Sequence, residues 1–252
     1  MRKLGYDIMH LIQLIRFFGV KDGFKIFLAI AFNSLLVRVS SIKFKNTIEI
    51  RKKDSDLPIF YQVFAELQYD INYFLKYTPK TIVDCGANVG FACLYFSSLF
   101  PGAEIIAVEP QKDNYNQLCK NVKSYSNIKP LHAAIWHKPG KLVIKNESEM
   151  SASFEVQENT EANIAGLNAV TIDEIIRDNN FDQIDILKID IEGSEYNLFA
   201  NNPHTWLSKT RCLVIELHDN LKPGTSQLFF KEMAKYDWQT VIKGENIVCF
   251  KA

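Results

Sequence analysis

Residues 81–90 read Thr81-Ile-Val-Asp84-Cys-Gly86-Ala-Asn88-Val-Gly90, an apolar strand running straight into a glycine-spaced turn. The pattern predicts a helix immediately after it, over 90–100. In an α/β protein this junction lies at the carboxyl end of a central parallel strand, where ligands bind. Glycine lacks the Cβ that blocks both close approach of a ligand and positive φ. The start of the following helix turns free N–H groups and a positive dipole end towards the same place.

Working outward, strands and helices alternate from Lys80 onward. The spacing predicts strands at Thr81–Asp84, Glu104–Glu109, Ile128–Ile135, Ile184–Ile189, Cys212–Leu217, Trp238–Ile242 and Ile247–Phe250. Helices are predicted at 90–100, 112–124, 172–180, 194–201 and 225–235, and Thr171-Ile-Asp-Glu174 reads as a capping box opening the third. Lys141–Ile144 and Ser153–Val156 form a candidate side hairpin. Such alternation implies a doubly wound parallel sheet. Only Lys243-Gly-Glu-Asn246 joins the last two strands, too few residues for a crossover, so that pair is antiparallel.

Upstream, Leu4, Ile8, Leu11, Ile12, Ile15 and Phe18 recur at helical spacing and Gly19 stops the helix. A second helix is expected over Gly23–Val37, giving a helical N-terminal extension (1–40) ahead of a Rossmann-like domain (41–252). Ile42 to Arg51 alternates as a hairpin turning at Asn46. Phe60, Val63, Phe64, Leu67, Ile71, Phe74 and Leu75 form one helical stripe, ended by Tyr77-Thr78-Pro79.

The 252 residues carry 29 basic and 29 acidic side chains, and a net charge of zero gives no support to a nucleic-acid partner. Five cysteines without a C-x-x-C pair suit reduced thiols in a cytoplasmic protein better than disulfides or zinc. The most apolar run, Ile26 to Val37, falls short of the ~20 residues that span a bilayer. Arg2, Lys3, Arg16, Lys21 and Lys25 make the extension locally basic, which suits peripheral membrane contact or a solvated polar face.

A dinucleotide turn wants G-x-G-x-x-G around a pyrophosphate. Here the spacing is Asp84-x-Gly86-x-Asn88-x-Gly90, and a carboxylate at the strand end repels pyrophosphate. It suits the amino group of the methionine part of S-adenosylmethionine. Val108-Glu109-Pro110 ends the second strand, and Glu109 can accept both ribose hydroxyl protons. That acid occurs in NAD enzymes too, so an NAD(P)-linked oxidoreductase and a catalytically silent cofactor-binding scaffold remain alternatives.

Asp84-Cys-Gly-Ala-Asn-Val-Gly90, Val108-Glu-Pro110, Ala133-Ala134, Lys188-Ile-Asp-Ile-Glu-Gly-Ser-Glu195 and Ile215-Glu-Leu-His218 together resemble the FkbM family of S-adenosylmethionine-dependent methyltransferases. The resemblance runs from about residue 50 to 220 and includes Ser55-Asp56-Leu57. It implies a class I methyltransferase sheet of seven strands, and a small-molecule or glycan acceptor methylated on a hydroxyl of a sugar, glycolipid or secondary metabolite. It implies that Asp84, Gly86, Asn88 and Gly90 line the methionine and ribose end of the cofactor. Glu109, next to Pro110, would hold the ribose, and Ala133 and Ala134 would border the adenine.

The fourth and fifth strands end in Asp190-Ile-Glu192-Gly193 and Glu216-Leu-His218. Adjacent strands lie ~4.8 Å apart, so these groups converge. Asp190, Glu192 and His218 are the candidate catalytic residues, with His218 or Asp190 as the base that deprotonates the acceptor. Asp190, Glu216 and His218 also have ligand types suited to a divalent cation. No ligand spacing is diagnostic, and a base without metal is the expectation. Asp190 and Glu192 serve equally well as acids at the N-terminus of the next helix, as Glu195 does.

Overall fold

The computed structural model describes residues 2–33, 35–144, 156–158 and 166–251. In chain order it forms α1 (Arg2–Phe18), α2 (Val20–Phe32), β1 (Leu36–Val39), β2 (Ile48–Arg51) and α3 (Asp56–Phe64). Then follow β3 (Thr81–Cys85), α4 (Phe91–Leu99), β4 (Glu104–Val108), α5 (Lys112–Val122), β5 (Ile128–Leu131) and β6 (Ala134–Ile135). Next come β7 (Gly140–Ile144), β8 (Val156–Glu158), β9 (Leu167–Val170), α6 (Ile172–Asp178), β10 (Ile186–Ile189) and α7 (Glu195–Ala200). The chain closes with α8 (His204–Leu207), β11 (Cys212–Ile215), α9 (Thr225–Met233), β12 (Gln239–Lys243) and β13 (Asn246–Phe250).

The main sheet has seven strands in the order β12-β13-β11-β10-β3-β4-β5. All neighbours are parallel except β13, which runs antiparallel to both β11 and β12, as the four-residue connection requires. β3 is central: the chain leaves it for β4 on one side and returns to β10 on the other. That reversal opens a crevice at the carboxyl ends of β3 and β10. Strands β3, β10 and β11 are buried along almost their whole length, the pattern of strands covered on both faces.

One face carries an aromatic core. Phe18 stacks parallel to Phe60 with centroids 6.2 Å apart, and Phe64 meets Phe91 at 6.0 Å. Each such ring fully buried contributes about 1.5–3 kcal/mol. Leu14, Phe18, Ile26 and Ile30 of α1 and α2 belong to this core, so the two N-terminal helices are packed onto the sheet's covering layer. Helix α4 is buried from Phe91 to Ser97, wedged between the sheet and α3. The opposite face buries Ile172, Ile175, Leu198, Phe199 and Phe229 of α6, α7 and α9. Trp136 and Trp206 are core residues.

Four boundaries differ from expectation. α2 ends at Phe32, where the Asn33 side chain donates to the Ala29 carbonyl at 2.7 Å. The strand partner of β2 is therefore Leu36–Val39, with Val39 opposite Ile48, and Ile42 lies in an exposed loop. The stripe from Phe60 to Leu75 is not one helix: α3 stops at Phe64, Leu67 takes φ 56°, and a short 3-10 turn covers Asn72–Phe74. Its apolar positions still reach the core, since Ile71 is buried and Phe74 stacks on Phe250 at 5.2 Å.

The expected strand Ile128–Ile135 is divided. β5 is the sheet edge, where Pro130 needs no ladder partner. A tight turn, with the Ala133 N–H on the Leu131 carbonyl at 3.1 Å, then sends β6 into a second sheet of order β6-β9-β7-β8. β7 pairs with β8 as an antiparallel hairpin, while Ser153 to Glu155 of the expected partner lie outside the described residues. β9, with four residues and little alternation, carried no strand signal. Among the described residues no helix is long and apolar enough to cross a membrane.

Candidate functional site

A cavity of about 290 Å3 opens at the carboxyl ends of β3, β4, β10 and β11. Its floor is the glycine turn. Gly86 has φ 83°, and a Cβ there would lie 1.8 Å from the Asp190 carbonyl oxygen, so the turn and the end of β10 touch backbone to backbone. Gly90 lies outside the cavity; its φ is 90° and a Cβ would strike Leu118 of α5 at 2.6 Å. Its glycine serves helix packing rather than ligand approach.

Asp84 also lies elsewhere than expected. It is wholly buried and is not among the lining residues. Its Oδ1 is 3.1 Å from Lys188 Nζ, and its Oδ2 accepts from Cys93 Sγ at 3.1 Å. Lys188 Nζ in turn donates to the Gly86 carbonyl at 2.9 Å and stands 3.5 Å from Asp190 Oδ2. Burial disfavours the Lys188 ammonium, but the charges of Asp84, Tyr69 and Asp190 outweigh it and hold its pKa well above the usual lysine value. Asp84 and Lys188, neighbours in register on β3 and β10, thus hold the turn from below.

Asn88, Glu109, Pro110 and Ala134 line the cavity, and Ala133 does not. The turn of chain between β5 and β6 brings Ala134 and Ile135 to the wall and leaves Ala133 in the core. Glu109 accepts from the backbone N–H groups of Asn88 at 2.8 Å and Gln111 at 2.9 Å. Burial pushes its carboxyl up to about 7, against the pull of those two donors. Each oxygen keeps lone pairs for a further donor, and the residue faces the cavity. This is a fit for a ribose edge.

The far side of the cavity is acidic. Asp190, Glu192 and Glu216 line it from the ends of β10 and β11. Glu192 and Gly193 both take left-handed backbone, φ 50° and 88°. A non-glycine residue in that region is an uncommon strain that functional sites tolerate. Burial, then the Asp190 charge, pushes the Glu192 carboxyl up to about 8.

His218 stands behind these acids, nine-tenths buried and outside the lining. Its Nδ1 lies 3.0 Å from Glu195 Oε1, and its Nε2 is 3.5 Å from Glu192, 3.5 Å from Glu216 and 3.9 Å from Asp190. Burial disfavours the imidazolium, yet hydrogen bonding to Glu195 and Glu216 and the charges of Glu195 and Glu192 push its pKa up to about 11. An imidazole held in its protonated form does not abstract a proton at neutral pH. The geometry makes His218 the counter-cation of the acids, in place of the base the sequence suggested. Glu195 is more than a helix-start acid: it also accepts from the Ile191 N–H at 3.0 Å, tying loop and imidazole together. Ligand atoms of Asp190, Glu192 and His218 lie within 4.8 Å of one another, so a divalent cation is the geometric alternative to a charged imidazole there.

The remaining walls carried no sequence signal as site residues. Ser55 comes from the N-cap of α3, Pro58 and Gln62 from the helix itself, Gln68 and Tyr69 from the loop after it, and Glu245 from the β12–β13 turn. Gln62 Nε2 donates to Glu245 Oε2 at 2.9 Å, joining two walls 183 residues apart. Arg51 grips Asp56 with Nη2 at 2.7 Å and Nε at 2.9 Å, which anchors α3 to β2. The Ser55-Asp56-Leu57 match therefore has a positioning role at Asp56. Only their distance from the turn in sequence conceals these residues.

A doubly wound sheet with an antiparallel last pair, a glycine turn held by the acid that follows the next strand, and carboxylates across the cavity define a class I, Rossmann-like methyltransferase. The model of the methyltransferase FkbM domain matches residues 84–238. The chain belongs to that family, and S-adenosylmethionine is its methyl donor. Methyltransferase sdnD of Sordaria araneosa is 26% identical over 191 residues, 63% of this chain and 73% of that protein. The AMB antimetabolite synthetase AmbE of Pseudomonas aeruginosa is 23% identical over 206 residues, 67% of this chain and 10% of that protein. Among solved structures, M. jannaschii TYW2 in complex with AdoMet is 12% identical, with a TM-score of 0.46 and 86% of each chain covered.

Proposed function

We propose that this protein methylates a hydroxyl oxygen of a sugar, glycan, glycolipid or related secondary metabolite. The observation that carries the reading is the set of three carboxylates, Asp190, Glu192 and Glu216, lining the cavity across from the glycine turn. An amine acceptor loses its proton readily after transfer, whereas an alcohol needs a base to take its proton as the oxygen attacks.

Bound S-adenosylmethionine supplies an electrophilic methyl group. Gly86 and Asn88 of the turn would hold its methionine and ribose end, and Glu109 would accept from its ribose hydroxyls. Glu192 or Asp190 accepts the acceptor's hydroxyl proton. The His218 charge draws the Glu192 carboxyl back towards its ionised form, against burial and Asp190, and through Glu195 it ties the loop in place. Gln62, Gln68 and Glu245 offer donors and acceptors to the hydroxyls of a polar substrate, which orients the reacting oxygen.

The test is a screen of labelled methyl transfer into sugar nucleotides, lipid-linked sugars and polysaccharide fragments, with amine acceptors beside them. Base-stable methyl ether products support the proposal. Transfer into amines alone overturns it.

A further inference from the structure

We infer that the α1–α2 hairpin docks this protein on the surface of an anionic lipid bilayer. The two helices bury one face, through Leu14, Phe18, Ile26 and Ile30, and leave the other uncovered. On α1 that outer face is Ile8, Ile12 and Arg16, one residue per turn, with Met9 beside them. On α2 it is Lys21, Phe24, Lys25, Leu28 and Phe32. Phe32 is 83% exposed, Val20 at the helix junction 73%, and Ile42 92%. The Ile42 N–H donates to Asp22 at 3.1 Å, which places this loop tip beside the first turn of α2.

Large apolar side chains exposed together mark an interaction surface. The charge pattern says which kind. Residues 1–45 carry eight Lys or Arg against two Asp, in a chain whose 29 basic and 29 acidic residues balance overall. Basic side chains interleaved with phenylalanine and leucine on a helix face suit a bilayer interface: apolar groups enter the acyl boundary and cations meet anionic headgroups. A second copy fits poorly, because a two-fold interface would set Arg16, Lys21 and Lys25 against the same charges. At 13 residues, α2 lies in the interface and does not span.

The docked hairpin adjoins the cavity. His10 of α1 stacks on Tyr61 of α3 with ring centroids 3.9 Å apart, and Pro58 and Gln62 of the same helix line the site. Docking would therefore hold the cavity wall near the bilayer, where an amphiphilic acceptor lies.

The experiment is co-sedimentation of the full chain with phosphatidylcholine vesicles, with and without phosphatidylglycerol. Its readout needs no turnover, so it stands apart from the acceptor proposed above. Binding is expected to the mixed vesicles and not to the neutral ones. Lys21→Gln with Lys25→Gln should weaken it roughly tenfold or more, since each cation near the surface contributes on the order of 1 kcal/mol. Phe24→Ser with Phe32→Ser should abolish it. All four positions are exposed, and unchanged binding of S-adenosylhomocysteine would show that the variants fold. No sedimentation of the wild type with mixed vesicles overturns the inference. So does equal sedimentation of both variants, or a wild-type dimer that the Phe24 and Phe32 changes dissociate without any vesicle binding.

Discussion

Lys188 Nζ and Asp84 Oδ1 form a fully buried ion pair 3.1 Å long between β10 and β3. The lysine also holds the Gly86 carbonyl, so the pair fixes the glycine turn to the strand that carries Asp190. The acid at the end of β3 is internal scaffolding, and Gly86, Asn88 and Glu109 line the cavity instead.

Removing one partner of such a pair leaves an uncompensated buried charge. Asp84→Asn is expected to cost ~3–5 kcal/mol of stability, read from urea unfolding. The double variant Asp84→Asn, Lys188→Met should recover part of that loss. A single variant of normal stability with weakened cofactor binding would return Asp84 to the cavity.

Glu109→Gln should weaken S-adenosylhomocysteine binding by ~1–3 kcal/mol in calorimetric titration, through lost charge-assisted hydrogen bonds. The amide keeps one neutral acceptor oxygen where the carboxylate offers two charged ones. Since burial raises its carboxyl to about 7, wild-type affinity should improve as pH rises through that value. Equal affinity of wild type and variant removes Glu109 from the site.

With Glu192 as proton acceptor, the active form is the ionised one. Its carboxyl is pushed up to about 8, so kcat should rise as pH increases through that region. Glu192→Gln should lower kcat by ~100-fold or more and flatten the limb. An unchanged profile would place the base elsewhere.

His218 should make stability depend on pH. Its value is raised from 6.5 to about 11 in the folded chain, so the protonated form is favoured by folding. That contribution is complete below about 6.5 and is lost as pH climbs through 11. Denaturation midpoints should therefore fall from neutral to alkaline pH, and His218→Gln should remove that slope. With the imidazolium in place, a chelator is expected to leave turnover intact. Inhibition by the chelator, reversed by magnesium, would put a divalent cation among Asp190, Glu192 and His218.

Local chemistry explains why some of this was legible in the chain. The alternation from residue 80, the Thr171 capping box and the four-residue β12–β13 turn act over a few residues, and each formed as expected, the box with Thr171 Oγ1 accepting from the Glu174 N–H at 3.0 Å. Pairing partners were less legible. Ile128 to Ile135 reads as one strand because nothing in its pattern says that its last two residues pair with Ala169 and Val170. Phe60 to Leu75 reads as one helix because a period marks which residues are buried, not whether the backbone between them stays helical.

By itself, the sequence determined a doubly wound sheet, the glycine turn at its switch point, and the carboxylates that end β10 and β11. These follow from periodicity, turn length and residue type, all short-range properties. Tertiary structure alone decided which of those charges face the cavity. Asp84 and Glu109 are both acids at strand ends, yet Lys188, 104 positions after Asp84, takes the first into the core while two backbone N–H groups hold the second at the cavity. The same holds for His218: its chemistry depends on Glu195, Glu192 and Glu216, which only folding brings around its ring. An ionisable group's role depends on its neighbours in space, and those are set by the packing of the whole sheet.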